Sequence, residues 1–361
     1  MERKRKPVLY SAIAVVLATL TIVLWLTNNI TLAGWSLALF FLSLAFVFRG
    51  IPLLKGLSFT AIILASVVLA MWHPEYFTNW GNFSLSSTII PFIQLLMFGM
   101  GSSMSVNDFA AVVKSPKGVV IGVASQFIIM PSLGFILSNV TNFPSEIAAG
   151  IILIGCSPSG LASNVMAYLS KANLALSITI TSITTLIAPF VTPLLMKLFA
   201  GALIEIDVLK MMWDIFKMII LPIGAGLIFN KLLKGKIQWL DKAMPLISMF
   251  AITAIVTIIV ASGRDNLLKI GLLLTVVAIA HNTFGYLLGY WSGRLFNMSE
   301  RDCRTIAIEV GMQNAGLASG IAKELGKIST IGLAAAVFGP LMNITGSALA
   351  SWWHNRPPVE K

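Results

Sequence analysis

The sequence predicts an all-α polytopic membrane protein, and two observations carry that prediction. Of its 361 residues, 57% are hydrophobic against 11% charged, more apolar surface than a water-soluble fold can hide, because a large share of any fold faces its solvent. The apolar residues also fall into successive stretches of roughly 17–25 residues, the length that crosses about 30 Å of hydrocarbon. Backbone polar groups find no water at that depth, so such stretches are helices or strands of a closed barrel. The runs are continuous and lack period-2 alternation, which selects helices.

About twelve transmembrane helices are expected. Two opening spans, at about 8–27 and 32–50, form an accessory hairpin within residues 1–55. Ten more follow at about 56–73, 86–104, 117–138, 145–170, 173–200, 208–230, 243–262, 267–293, 301–325 and 328–353, and residues 354–361 form a tail. The spans at 145–170 and 301–325 are interrupted. The opening Met1–Lys6 (MERKRK) before an apolar run mimics a signal peptide. The run from Pro7 to Leu26 is too long for a signal core and no small-residue cleavage site follows, so an uncleaved first span is expected.

The net charge of +11 sits in short clusters between apolar stretches, not in an aromatic-interleaved stripe, so it sets topology and does not call for a nucleic acid partner. With the N-terminus inside, 18 basic residues, among them Lys55, Lys114, Lys171, Lys234, Lys236, Arg294, Arg304, Arg356 and Lys361, fall on the cytoplasmic side against 6 opposite. That asymmetry supports an even number of spans, both termini cytoplasmic, in a cytoplasmic (inner) membrane. Trp72, Trp80, Trp239, Trp352 and Trp353 lie near span ends, where indole prefers the interface. The two cysteines, Cys156 and Cys303, form no disulfide framework and no CxxC metal pair.

Internal repetition comes next. Gly160-Leu161-Ala162-Ser163 recurs as Gly316-Leu317-Ala318-Ser319, and the same offset of 156 carries Lys171 onto Lys327 and Gln126 onto Asn282. The halves, about 56–200 and 207–353, hold five spans each. Five is odd, so the second copy lies upside down, giving two inverted five-helix repeats. Each half holds one broken span, at Cys156-Ser157-Pro158-Ser159-Gly160 and at Glu309-Val310-Gly311-Met312-Gln313-Asn314. Proline and glycine disfavour a continuous helix there. Unpaired backbone at mid-membrane is tolerated where it lines a cavity or binds something, and half-helix N-termini would face an anion while carbonyl ends face a cation.

Glu309 is the one acidic residue that the sequence places deep in hydrocarbon, where a carboxylate must be paired, protonated or bound to a cation. Lys217 is the available ion-pair partner, a proton carrier is a second role, and cation ligation is a third. The neighbours favour the third: Ser163 and Asn164 follow the first break, Ser177 and Thr181 share a helix face four residues apart, and Gln126 is a lone intramembrane amide. Such hard oxygens, without imidazole or thiolate, suit an alkali cation.

The runs Ala162-Ser163-Asn164-Val165-Met166 and Glu309-Val310-Gly311-Met312-Gln313-Asn314, with Ser177, Thr181, Ser125-Gln126-Phe127-Ile128-Ile129-Met130-Pro131 and Met97-Phe98-Gly99-Met100-Gly101, resemble the bile acid:sodium symporter family over roughly residues 56–353. The resemblance implies a panel domain and a core domain in which the broken helices cross. It also implies two sodium ions. One site would use Ser163, Asn164, Ser177, Thr181 and Glu309; the other Gln126, Glu309, Val310, Met312 and Gln313, partly through carbonyls. Substrate would sit near Ala162, Asn314 and Asn343. Two departures fall on the substrate side: Met342-Asn343 stands where relatives close to the bile acid carriers have His-Asn, and Leu161 stands where a small polar residue is common. The two extra N-terminal spans also depart from the ten-helix pattern.

Sodium-coupled symport of an organic anion, bile acid-like or a small carboxylate such as a pantothenate-like compound, is therefore expected, by alternating access. A sodium/proton antiporter or anion exporter on the same scaffold is the alternative; proton-coupled relatives would be expected to carry an intramembrane acidic pair. An enzyme is not expected, since of His73, His281 and His354 only His281 is placed within the membrane, and it has no acidic partner in sequence that would make a nucleophile–base or metal site.

Overall fold

The computed structural model describes residues 2–51, 56–103, 116–233 and 238–358. The expected positions of Lys55, Lys114, Lys234, Lys236 and Lys361 lie outside these residues, as do the side chain of Trp239 and the end of the 354–361 tail. Among the described residues are fifteen α-helices: α1 (Glu2–Leu26), α2 (Ile30–Gly50), α3 (Leu57–Trp72), α4 (Glu75–Thr78), α5 (Ile89–Ser103), α6 (Pro116–Val140), α7 (Ser145–Cys156), α8 (Ala162–Leu169), α9 (Leu174–Ala200), α10 (Val208–Leu233), α11 (Gln238–Ser262), α12 (Arg264–Leu295), α13 (Glu300–Gly311), α14 (Ala315–Glu324) and α15 (Ile331–His354). The described sheet is a small antiparallel hairpin, Asn79–Trp80 against Phe83–Ser84. Nine described helices are long and apolar enough to cross a membrane, and α3 and α7 are shorter apolar helices. The chain is an all-α polytopic membrane protein.

The helices sort into two groups by packing. In one, α5 lies along α10, and α11 packs on α3 and α5. In the other, α6, α7, α8, α9, α12, α13, α14 and α15 pack around the two broken spans. At the heart of this second group α7 is buried on every side, from Ile147 through Cys156, which is why its apolar run shows no polar face. The opening hairpin attaches through α2, where Gly34 lets the Trp72 ring of α3 approach and Ser58 Oγ donates to Ala45 O at 2.8 Å. By contrast α1 turns residues such as Val15 and Val16 outward.

Both expected breaks exist, with shifted limits. The first spans Ser157–Leu161, between α7 and α8. The second is shorter than expected: helical bonding runs through Gly311, and the Met312 N–H still donates to Ile308 O at 3.0 Å. Glu309 therefore sits in the last turn of α13 rather than in the break itself. The two breaks satisfy each other. Gly160 N–H donates to Met312 O at 2.9 Å and Asn314 N–H to Pro158 O at 2.8 Å, flanking an antiparallel bridge between Ser159 and Gln313. Backbone groups that no lipid could satisfy are paired across the crossing.

Backbone features recur between the halves at an offset of 155, not the 156 of the tetrapeptide match. The half-helices α7 and α13 are 12 residues each, beginning at Ser145 and Glu300. Left-handed residues precede them at Asn142 and Asn297, and follow α8 and α14 at Lys171 and Gly326. Lys171 thus corresponds to Gly326 and not to Lys327. The reason is visible in the hydrogen bonds: Ala172 N–H reaches Ala167 O and Lys171 N–H reaches Tyr168 O, as Lys327 N–H reaches Ala322 O and Gly326 N–H reaches Lys323 O. Both ends are the same C-terminal capping motif, which demands a left-handed residue.

Candidate cation site and adjoining cavity

The crossing brings together five oxygen-bearing side chains from three elements. α13 supplies Glu309, α8 supplies Ser163 and Asn164, and α9 supplies Ser177 and Thr181. Ser177 and Thr181 face the same way because they lie one helical turn apart. Glu309 is fully buried. Its Oε1 accepts from Ser163 Oγ at 2.6 Å and from Ser177 Oγ at 2.5 Å, and its Oε2 accepts from Thr181 Oγ1 at 2.7 Å. Asn164 Oδ1 lies 2.9 Å from Ser177 Oγ and 3.3 Å from Thr181 Oγ1, and Ser163 Oγ lies 3.3 Å from Thr181 Oγ1.

Each hydroxyl carries one proton. With the Asn164 amide oxygen turned inward, six close oxygen–oxygen approaches share three hydroxyl protons, and a fourth is available only if Glu309 is itself protonated. Oxygens gathered beyond their supply of protons fit a hard cation, which would draw on the surplus lone pairs. All five residues expected at the first sodium site are in this cluster.

The second expected set is also brought together, differently employed. Gln126, buried on α6, donates from Nε2 to Ser157 O at 2.9 Å and to Gln313 Oε1 at 2.5 Å. Gln313 Nε2 donates to Val310 O at 2.5 Å. Met312 O receives Gly160 N–H, and Glu309 O receives the Ser159 hydroxyl at 2.5 Å. The carbonyls expected to face a cation hold protein donors in this arrangement. Ser159 was missed as a site residue; its place inside the first break was the only signal, and its partner lies 150 residues away.

The ion-pair role for Glu309 is removed by a second acidic residue that the sequence reading overlooked. Asp214 of α10 is buried, and its Oδ1 lies 2.8 Å from Lys217 Nζ while its Oδ2 lies 3.1 Å from Lys210 Nζ. Lys217 is thus committed to Asp214 in the other helix group. The i,i+3 and i,i+4 spacing was the available signal.

Beside the crossing a cavity of about 440 Å³ opens between the two helix groups. Ala162, Asn314 and Asn343, the three residues expected near substrate, all line it, with Leu161 and Gln313 on the same side and Met97 and Met249 opposite. Among the described residues no lysine or arginine lines it. The N-termini of α8 and α14 begin at its wall. Asn314 caps α14, its Oδ1 accepting from Leu317 N–H at 3.0 Å. Leu161, at the equivalent place on α8, offers no side-chain cap.

A two-group helical membrane fold with a buried oxygen cluster at the crossing of two broken helices is the architecture of a membrane carrier. Residues 90–270 match the model of the sodium bile acid symporter family. The chain is 40% identical over 311 residues to the "Uncharacterized sodium-dependent transporter YocS" of Bacillus subtilis (strain 168), covering 86% of this chain and 95% of that one. It is 31% identical over 307 residues to the "Probable sodium/metabolite cotransporter BASS1, chloroplastic" of Oryza sativa subsp. japonica, covering 85% and 74%, and 30% identical to the Arabidopsis thaliana protein of that description, covering 81% and 72%. The chain belongs to the sodium bile acid symporter family, a family of sodium-dependent transporters.

Proposed function

We propose that this protein is a sodium-coupled symporter of an organic anion, in a cytoplasmic membrane with both termini inside. The single observation that carries the proposal is the Glu309 cluster, whose six oxygen approaches outnumber its protons. Ser163, Asn164, Ser177, Thr181 and Glu309 would hold one sodium. Gln126, Gln313 and the carbonyls of Glu309, Val310 and Met312 would hold a second once their present donors turn away.

The anion would occupy the cavity beside the crossing, which is lined by Ala162, Asn314 and Asn343. With no basic side chain in the lining among the described residues, its charge would meet backbone N–H groups at the start of α8 and the Asn343 amide. Leu161 and the surrounding methionines favour a carboxylate with an apolar body. Because cavity and cation cluster share the Ala162–Asn164 turn, a cation that orders this turn raises affinity for the anion, and the reverse follows by linkage. Motion of the α3–α5–α10–α11 group against the rest would expose the cavity alternately to either side.

Proteoliposome uptake of a panel of labelled carboxylates tests this reading. A sodium gradient should drive accumulation of at least one of them, and a protonophore should leave it intact. Accumulation that ignores sodium and collapses with the protonophore would favour the proton-coupled alternative.

A further inference from the structure

Away from the crossing, a groove of about 710 Å³ opens on the flank of α12 and α15, at the end of the bundle where both helices finish and α13 begins. Five aromatic rings line it, Tyr286, Tyr290 and Trp291 from α12 and Trp352 and Trp353 from α15. From Thr283 to Trp291 it follows α12 for about 12 Å at the helical rise. Trp291 and Trp352 remain 59% and 50% exposed, as indoles do where a helix leaves hydrocarbon for the headgroup layer.

The charges at its rim are unbalanced. Among the described residues Glu300 is the groove's one carboxylate. It pairs with Arg304 at 2.8 Å, lies 3.5 Å from Arg294, and accepts from the Tyr290 hydroxyl at 2.7 Å. Arg304 is buried and consumed by structure, donating also to Ser170 O, Trp353 O and Arg356 O. Arg356 is different. It is exposed, its guanidinium lies 4.3 Å from the centre of the Trp352 ring, and it pairs with no carboxylate among the described residues. Among the described residues two guanidinium groups thus share one carboxylate, and a third, Arg356, stands beside them above an apolar trough.

We propose that this groove binds one anionic phospholipid, with an acyl chain along the aromatic wall between α12 and α15 and the phosphate on Arg356. An apolar trough capped by a cation that has no carboxylate partner among the described residues matches an amphiphile: a soluble anion would leave the trough wet, and a neutral lipid would leave Arg356 unanswered. Its contact with the Trp352 ring keeps the guanidinium at the rim, within reach of a phosphate.

The test uses the purified full chain in neutral detergent micelles, with phosphatidylglycerol or phosphatidylcholine of identical chains added. Phosphatidylglycerol should raise the melting temperature more than phosphatidylcholine and survive as a single adduct in native mass spectrometry. Arg356→Gln, at an exposed position, should abolish the difference between the lipids while keeping any sodium-dependent shift. Trp352→Ala should weaken retention of both lipids. Equal shifts from the two lipids in the unmodified chain, a phosphatidylglycerol preference that survives Arg356→Gln, or the same shift from inorganic phosphate alone would each overturn the proposal.

Discussion

At the scale of single residues, the proposed sodium site draws on hydroxyls as well as on the carboxylate. Ser177 Oγ sits 2.5 Å from Glu309 and 2.9 Å from Asn164, and one proton cannot serve both acceptors. Ser177→Ala should therefore raise the sodium concentration needed for half-maximal stabilisation by about tenfold, the scale of losing one buried polar partner. Thr184→Val supplies the control. Thr184 is equally buried on α9, but its hydroxyl is spent on Ile180 O and Thr181 O, so its loss should leave sodium titration by thermal shift unchanged. Equal effects from both substitutions would mean that sodium is bound elsewhere. These residues were legible in the sequence because oxygen donors are conspicuous among apolar neighbours. Ser159 and the Asp214–Lys217 pair were not read. Ser159 acts through a carbonyl in the other half of the chain, and the Asp214 pair lies in a span whose pattern is dominated by apolar residues.

At the scale of elements, the crossing depends on how closely two pieces of backbone approach. A Cβ on Gly160 would stand 2.7 Å from Gln313 O, a backbone atom that cannot swing aside. Gly316, its partner in the repeated tetrapeptide, has its nearest such neighbour at 3.4 Å, the Asn314 side chain. Gly160→Ala should thus part the bridge and cost about 1–3 kcal/mol, lowering the melting temperature and abolishing transport. Gly316→Ala should be close to neutral, as a helical Ala is favoured over Gly. Thermal melts and uptake on the two variants compare them directly. The tetrapeptide match thus pairs two glycines with different duties: one is needed for the crossing, the other stands in the first turn of α14. The helix positions were legible from apolar length, since lipid imposes one span thickness on every crossing segment. The limits of the second break were not, because Gly311 lowers helix propensity without ending a helix that α12 packs against.

At the scale of the whole molecule, the candidate cation cluster, the crossing and the cavity share one short turn, Gly160–Asn164, so under the proposed function occupancy at one should be felt at the others. The fold class and the two-group division could be anticipated from composition and resemblance. The 155-residue recurrence required the backbone, because the capping motifs that define it place a lysine opposite a glycine and are invisible to side-chain matching. The most direct measurement of the central claim is the melting temperature of the purified chain titrated with sodium against potassium, run in parallel on Glu309→Gln. Sodium should stabilise the unmodified chain in a saturable way that potassium does not reproduce, as expected for a ligand of the folded state, and Glu309→Gln should remain folded and lose that response. A Glu309→Gln protein that keeps the full sodium-specific shift would contradict the account.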